Sequence, residues 1–213
     1  MAQSQIDASI IKLKCGLFPD TKIFVSLFKD VSINPYQVNK TLSSVPTNEN
    51  YDHYAILNAN RITSVEHVAV AVNSSLMRFS AFSKDSDIQQ SNFRGRALDS
   101  VVCCAGTTHT GSAMKDYALS DETSDNTGVY DIILIGIDVT LEQFTNTLSS
   151  VDGFNSCLDT LVPRSDVADI LGRERSAEEV TKIIKLYKTT KEEVAMQGLA
   201  KAVINRVSSK YYV

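Results

Sequence analysis

Tryptophan is absent, and proline (4), cysteine (4) and histidine (3) are scarce among the 213 residues. The cysteines, Cys15, Cys103, Cys104 and Cys157, are too sparse for a disulfide framework and read as reduced, half-buried small hydrophobes. No C-x-x-C, H-E-x-x-H or clustered ligand pattern joins them to His53, His67 or His109, so no metal site is expected. Neither G-x-G-x-x-G nor G-x-x-x-x-G-K-[ST] occurs, which argues against nucleotide binding by a phosphate loop; Gly106 to Gly111 (GTTHTG) reads as a polar turn. Long apolar runs are missing too. The longest, Tyr130 to Val139, is interrupted by Asp131, Gly136 and Asp138 and falls short of the roughly 18 residues that span a bilayer. Met1 to Lys14 lacks a basic start followed by an apolar core, so no secretory signal is expected, and the expected compartment is cytosol or nucleus.

Lysine and arginine are absent from Asp116 to Asp159, a stretch that holds nine acidic residues. From Gly172 to Val213, nine basic residues oppose five acidic ones. The formal charge is −4, from 21 Lys+Arg against 25 Asp+Glu, yet this asymmetry lets the chain offer a basic face to an anionic partner. The same composition also fits a solvated helix carrying both signs. With 43% hydrophobic residues, the chain can bury the core of one ordinary domain, and it is shorter than a full protein kinase or a (β/α)₈ barrel.

Lys22 to Phe28 alternates Ile23, Val25 and Leu27 with Phe24, Ser26 and Phe28, which predicts a strand covered on both sides. Asn34-Pro35 starts a short helix through Val38 and Leu42, and Tyr54 to Asn58 is a second strand. Thr63 with Glu66 forms a capping box ahead of Val65, Val68, Val72, Leu76 and Phe79, at helical spacing. His67 falls off that apolar stripe and His53 precedes the strand, so both read as surface residues. Leu98 to Ala105 (LDSVVCCA) reads as a third strand, Ala113 to Leu119 as a short helix, and Val129 to Val139 as the central strand. Thr140 with Gln143 opens a further helix. Two more capping boxes, Ser176 with Glu179 and Thr190 with Glu193, open amphipathic helices, the second running through Met196, Leu199, Val203 and Val207. The order predicts a single mixed α/β domain over 1–213, a central β-sheet flanked by helices with a helical C-terminal section. Polar loops are expected near 81–93 and 120–128.

No residue pattern marks a catalytic centre. Cys103 or Cys104 with His109 could form a small nucleophilic hydrolase pair, supported only by their proximity in sequence. Arg94-Gly-Arg96 sets two guanidiniums between a polar loop and the expected strand, with Arg78, Lys84 and Lys115 near in sequence and Phe93 as a stacking surface. Such a group suits a phosphodiester backbone.

The ordered set of motifs resembles the small kinase-binding subunit of the KEOPS/EKC complex, the PRPK-binding protein family. Leu17 to Val31 (LFPDTKIFVSLFKDV) is similar to the family's opening, and Ile56 to Phe79 to its Asn-containing turn and Ala-rich helix. Arg94 to Ser100 (RGRALDS) resembles its Arg-x-Arg-x-Leu segment, Ala113 to Leu119 its short helix, and Ile183 to Val207 its last two helices, with Leu199, Ala202, Val203, Ile204 and Arg206 in the final pattern. The resemblance runs from Leu17 onward. It departs at Val101, at Thr110-Gly111-Ser112 and at Ala118, where the family usually has Gly. It implies a non-catalytic subunit without a cofactor, found in nucleus and cytoplasm. Such a subunit binds the complex's atypical kinase/ATPase, reaches the other subunits through it, and supports N6-threonylcarbamoyladenosine synthesis on tRNA. Archaeal relatives also bind tRNA, including its 3′ CCA end. The expected kinase interface is Leu199, Val203 and Ile204, and the expected tRNA surface is Arg94, Arg96 and Lys115. A structural adaptor without RNA contact is the competing reading.

Overall fold

The computed structural model describes residues 2–43, 53–82, 96–107, 109–119, 128–150 and 154–210. The expected central strand is β4 (Gly128–Ile137), which pairs with β2 (Ile23–Ile33) on one side and β3 (Tyr54–Asn58) on the other. A short β1 (Ile11–Leu13) adds to β2, so the order among the described residues is β1-β2-β4-β3, antiparallel throughout.

Period-two alternation sorts the strand residues between two cores. Ile23, Val25, Leu27, Ala55, Leu57, Ile133 and Ile135 face one; Phe24, Phe28, Tyr54, Ile56, Ile132 and Leu134 face the other. Between Phe28, opposite Ile132, and Val31, opposite Tyr130, β2 carries one extra residue. That bulge reverses parity, so odd-numbered Val31 and Ile33 share a core with even-numbered Phe24 and Phe28. Asp30 takes up the kink at φ 55°, its N–H donating to Asp131 Oδ1 at 2.9 Å.

The first core is closed by α3 (Val65–Phe82), α4 (Arg96–Cys104), α5 (Thr110–Tyr117), α7 (Arg164–Leu171), α8 (Ala177–Tyr187) and α10 (Leu199–Ser209). The second is closed by α1 (Ala2–Ser9), α2 (Pro35–Ser43), α6 (Leu141–Ser150) and a 3-10 stretch, Asn155–Thr160. The expected α/β class, a sheet between helices with a helical C-terminal section, is the one observed. No described helix is long and apolar enough to cross a membrane.

Several elements differ from their expected form. Leu98 to Ala105 is helical, not a strand: Ala97, Ser100, Val101 and Cys104 recur at i, i+3, i+4 and i+7 and are all fully buried. Packing against α3 fixes this, with Asp99 paired to Arg78 at 3.0 Å across the two helices, and tertiary contact overrides the strand preference of Val-Val-Cys-Cys. The α3 cap is Ser64, whose Oγ accepts from the His67 N–H at 3.1 Å, while Thr63 is buried just before it. The single helix expected from Thr190 is broken at Gly198 (φ 82°) into α9 (Lys191–Gln197) and α10. His67 and His53 are buried rather than at the surface. Of the two expected loops, residues 83–95 and 120–127 lie outside the described residues.

Candidate anion cleft and partner face

Strand β3 ends at Asn58, whose Oδ1 accepts from the Asn60 N–H at 3.1 Å and starts one 3-10 turn, Ala59–Arg61. The three carbonyls that follow are all held from the C-terminal third of the chain. Arg175 donates to Asn60 O at 2.9 Å and to Ile62 O at 2.6 Å, and the Tyr187 hydroxyl donates to Arg61 O at 2.7 Å. Arg173 reaches the Asn60 Oδ1 at 3.3 Å while pairing with Glu179 at 3.0 Å. Burial pulls the Arg175 pKa down from its ordinary value, but the guanidinium has no proton to lose near neutrality and remains a cation.

This turn stands between two clefts. One, of about 250 Å³, is lined by Tyr36, Asn58, Arg61, Lys115, Leu119 and Tyr130, with Asp116 and Pro35 at its side. The other, of about 240 Å³, is lined by Asn58, Asn60, Arg61, Arg175, Lys182 and Ile183, with Glu179. The side chains of Arg61 and Lys115 make no hydrogen bond or ion pair among the described residues, so two cations face the first cleft beside two tyrosine rings. Helix α5 presents Lys115, its start capped by His109, whose Nδ1 accepts from the Ser112 N–H at 3.2 Å. Its other end is tied to α2 by Asn39 Nδ2, which donates to Ala118 O at 3.0 Å, and Leu119 follows at φ 55°. A left-handed leucine is a strained conformation, and it lies in the wall of the cleft.

Of the residues expected to contact RNA, Lys115 therefore lines a cleft, with Arg61 as a companion that sequence reasoning missed. Arg94 and the side chain of Arg96 lie outside the described residues, and the backbone of Arg96 opens α4 rather than a strand. The signal for Arg61 was the Asn-Ala-Asn-Arg run closing a strand, where a polar turn must find partners for its carbonyls.

Helix α9 has no buried residue and Met196 is 88% exposed. Leu199 packs half-buried on the core and Ile204 is half-buried. Val203, expected at the same face, is fully buried in the first core and is not open to a partner, because α10 turns that side toward α3.

The four cysteines, His53 and His67 are packed inside, while His109 is exposed. Cys103 and Cys104 are fully enclosed, and burial pushes the Cys104 thiol well above its ordinary range, which disfavours a thiolate there. His67 bonds the Cys104 carbonyl, not its sulfur, at 3.0 Å, and His109 is engaged at its helix cap. Among the described residues no group of three or more His, Cys, Asp or Glu could hold a metal ion.

The family model described as kinase binding protein CGI-121 matches residues 28–211. The chain belongs to that family. No curated protein matches it.

Proposed function

We propose that this CGI-121 family chain is a non-catalytic subunit of a KEOPS/EKC-type complex. In this reading it docks on the complex's atypical kinase/ATPase and supports tRNA N6-threonylcarbamoyladenosine modification by holding tRNA, in nucleus and cytoplasm. The observation that supports the first half is the family match over residues 28–211, together with the exposed Met196 of α9 and the half-exposed Ile204 of α10. The second half rests on the cleft where Arg61 and Lys115, in no ion pair among the described residues, stand beside Tyr36 and Tyr130. Cations suit phosphates, and tyrosine rings give unpaired bases a stacking surface.

The deciding experiment is co-purification of the chain with the kinase/ATPase subunit, followed by tRNA binding to the pair at two salt concentrations. A stable complex whose tRNA affinity falls steeply with salt is expected. A chain that binds the kinase and shows no tRNA affinity at low salt is an adaptor only.

A further inference from the structure

We propose that Tyr187 is a positioning residue for the anion cleft: its buried hydroxyl, with the Arg175 guanidinium, sets the turn that aims Arg61 between the two clefts. The inference rests on the anion-binding reading of that cleft. Residue 61 is held from three successive points: Arg175 takes the carbonyls of Asn60 and Ile62 on either side of it, and Tyr187 takes its own at 2.7 Å. A single 3-10 turn has too few internal bonds to fix its orientation, so these external donors do so. Tyr187 itself is fully buried and lines neither cleft, so it cannot touch a ligand there.

Its ring also joins the two cationic elements. It meets Tyr117 of α5 edge-on, with centroids 6.0 Å apart, and α5 carries Lys115. The end of α8 reaches this place because Gly106 has no side chain: a Cβ there would stand 2.6 Å from the Tyr187 Cα. Tyr187 is thus bonded to the turn of one cation and packed on the helix of the other. The ligand class is a phosphate-bearing chain, and tRNA is the probe.

The test uses the full chain and four variants: Tyr187→Phe, Arg175→Lys, Arg61→Ala, and Arg61→Ala combined with Tyr187→Phe. Removing the hydroxyl should weaken tRNA binding about three- to tenfold, the worth of one hydrogen bond, and lower the salt slope by up to roughly one. A buried tyrosine makes no phosphate contact, and phenylalanine keeps the ring packed on α5, so a change of slope must come through the turn of Arg61. Arg175→Lys keeps the charge but loses the fork between two carbonyls, and the same losses are expected from it; should Tyr187→Phe not fold, this variant carries the test. In the Arg61→Ala background Tyr187→Phe should add nothing. Equal losses in both backgrounds, or wild-type binding by Tyr187→Phe or Arg175→Lys, would overturn the positioning role. Should Arg61→Ala bind with wild-type affinity and salt slope, the cleft reading fails first and the positioning role with it.

Discussion

His67 shows how a single residue answers to packing rather than to its place on a helical wheel. Its position off the apolar stripe suggests a surface residue, yet α3 is packed by α4, α10 and α7, so a wider arc of the helix is enclosed. The Nε2–H donates to the Cys104 carbonyl at 3.0 Å, Nδ1 accepts from the Thr63 N–H at 3.4 Å, and the ring meets Tyr187 edge-on. Only the neutral ring satisfies both bonds, and burial draws its pKa from 6.5 down to about 4. The unfolded chain binds a proton at the ordinary value, so stability is unaffected above about pH 6.5 and falls as pH drops toward 4. The loss approaches about 3 kcal/mol at pH 4. The measurement is urea unfolding of wild type and His67→Gln at pH 7 and pH 5. The variant should be the weaker at pH 7, with the gap narrowing by about 2 kcal/mol at pH 5. A gap independent of pH would mean that the imidazole is not held neutral.

Elements whose ends are set locally were legible in the sequence, and those set by distant packing were not. Local pairs placed the starts of α6, α8 and α9 as read, Thr140 with Gln143, Ser176 with Glu179, and Thr190 with Glu193, whereas the box read at Thr63 with Glu66 lies one residue early, since Ser64 caps α3. The strand assigned to Leu98 to Ala105 failed because one apolar run satisfies both periods, and the choice is made by α3 through the Arg78–Asp99 pair. The same distinction governs α10, where Val203 and Ile204 are neighbours with opposite environments. Val203 is fully enclosed in the first core, while Ile204 is half-exposed. Val203→Arg should therefore bury an unpaired charge and unfold the chain. Ile204→Arg should leave the melting temperature within a few degrees and abolish kinase binding. Thermal melts and kinase co-purification of both variants check this contrast, and an Ile204→Arg chain that still binds the kinase would move the interface off α10.

At the scale of the whole molecule, the cleft is assembled from segments far apart in sequence: Tyr36 from α2, Asn58 at the end of β3 and Arg61 in the turn after it, Lys115 and Leu119 from α5 and its end, and Tyr130 from β4. Sequence proximity therefore pointed to Lys115 alone and grouped it with Arg94 and Arg96, while Arg61 became visible only once β3 and β4 were paired. Because the chain carries a formal charge of −4, long-range attraction cannot supply polyanion binding, and any affinity must come from locally placed cations. Removing any one cation that holds a phosphate should then weaken binding about equally for all tRNA sequences and lower the slope of log K against log salt by roughly one. The double variant Arg61→Ala, Lys115→Ala should lose roughly two units of slope, whereas Lys182→Ala should lose less, because Lys182 is already paired with Glu178 at 2.7 Å. Arg94→Ala, Arg96→Ala, measured alongside, reads the contribution of the segment before α4, and its effect should add to that of the cleft pair if both hold one RNA chain. Titration of tRNA into the wild type and these variants at several salt concentrations, alone and with the kinase bound, gives all the slopes. Equal affinities and slopes throughout would make every one of these cations ordinary solubilising surface and leave the CGI-121 family chain with kinase docking as its sole role.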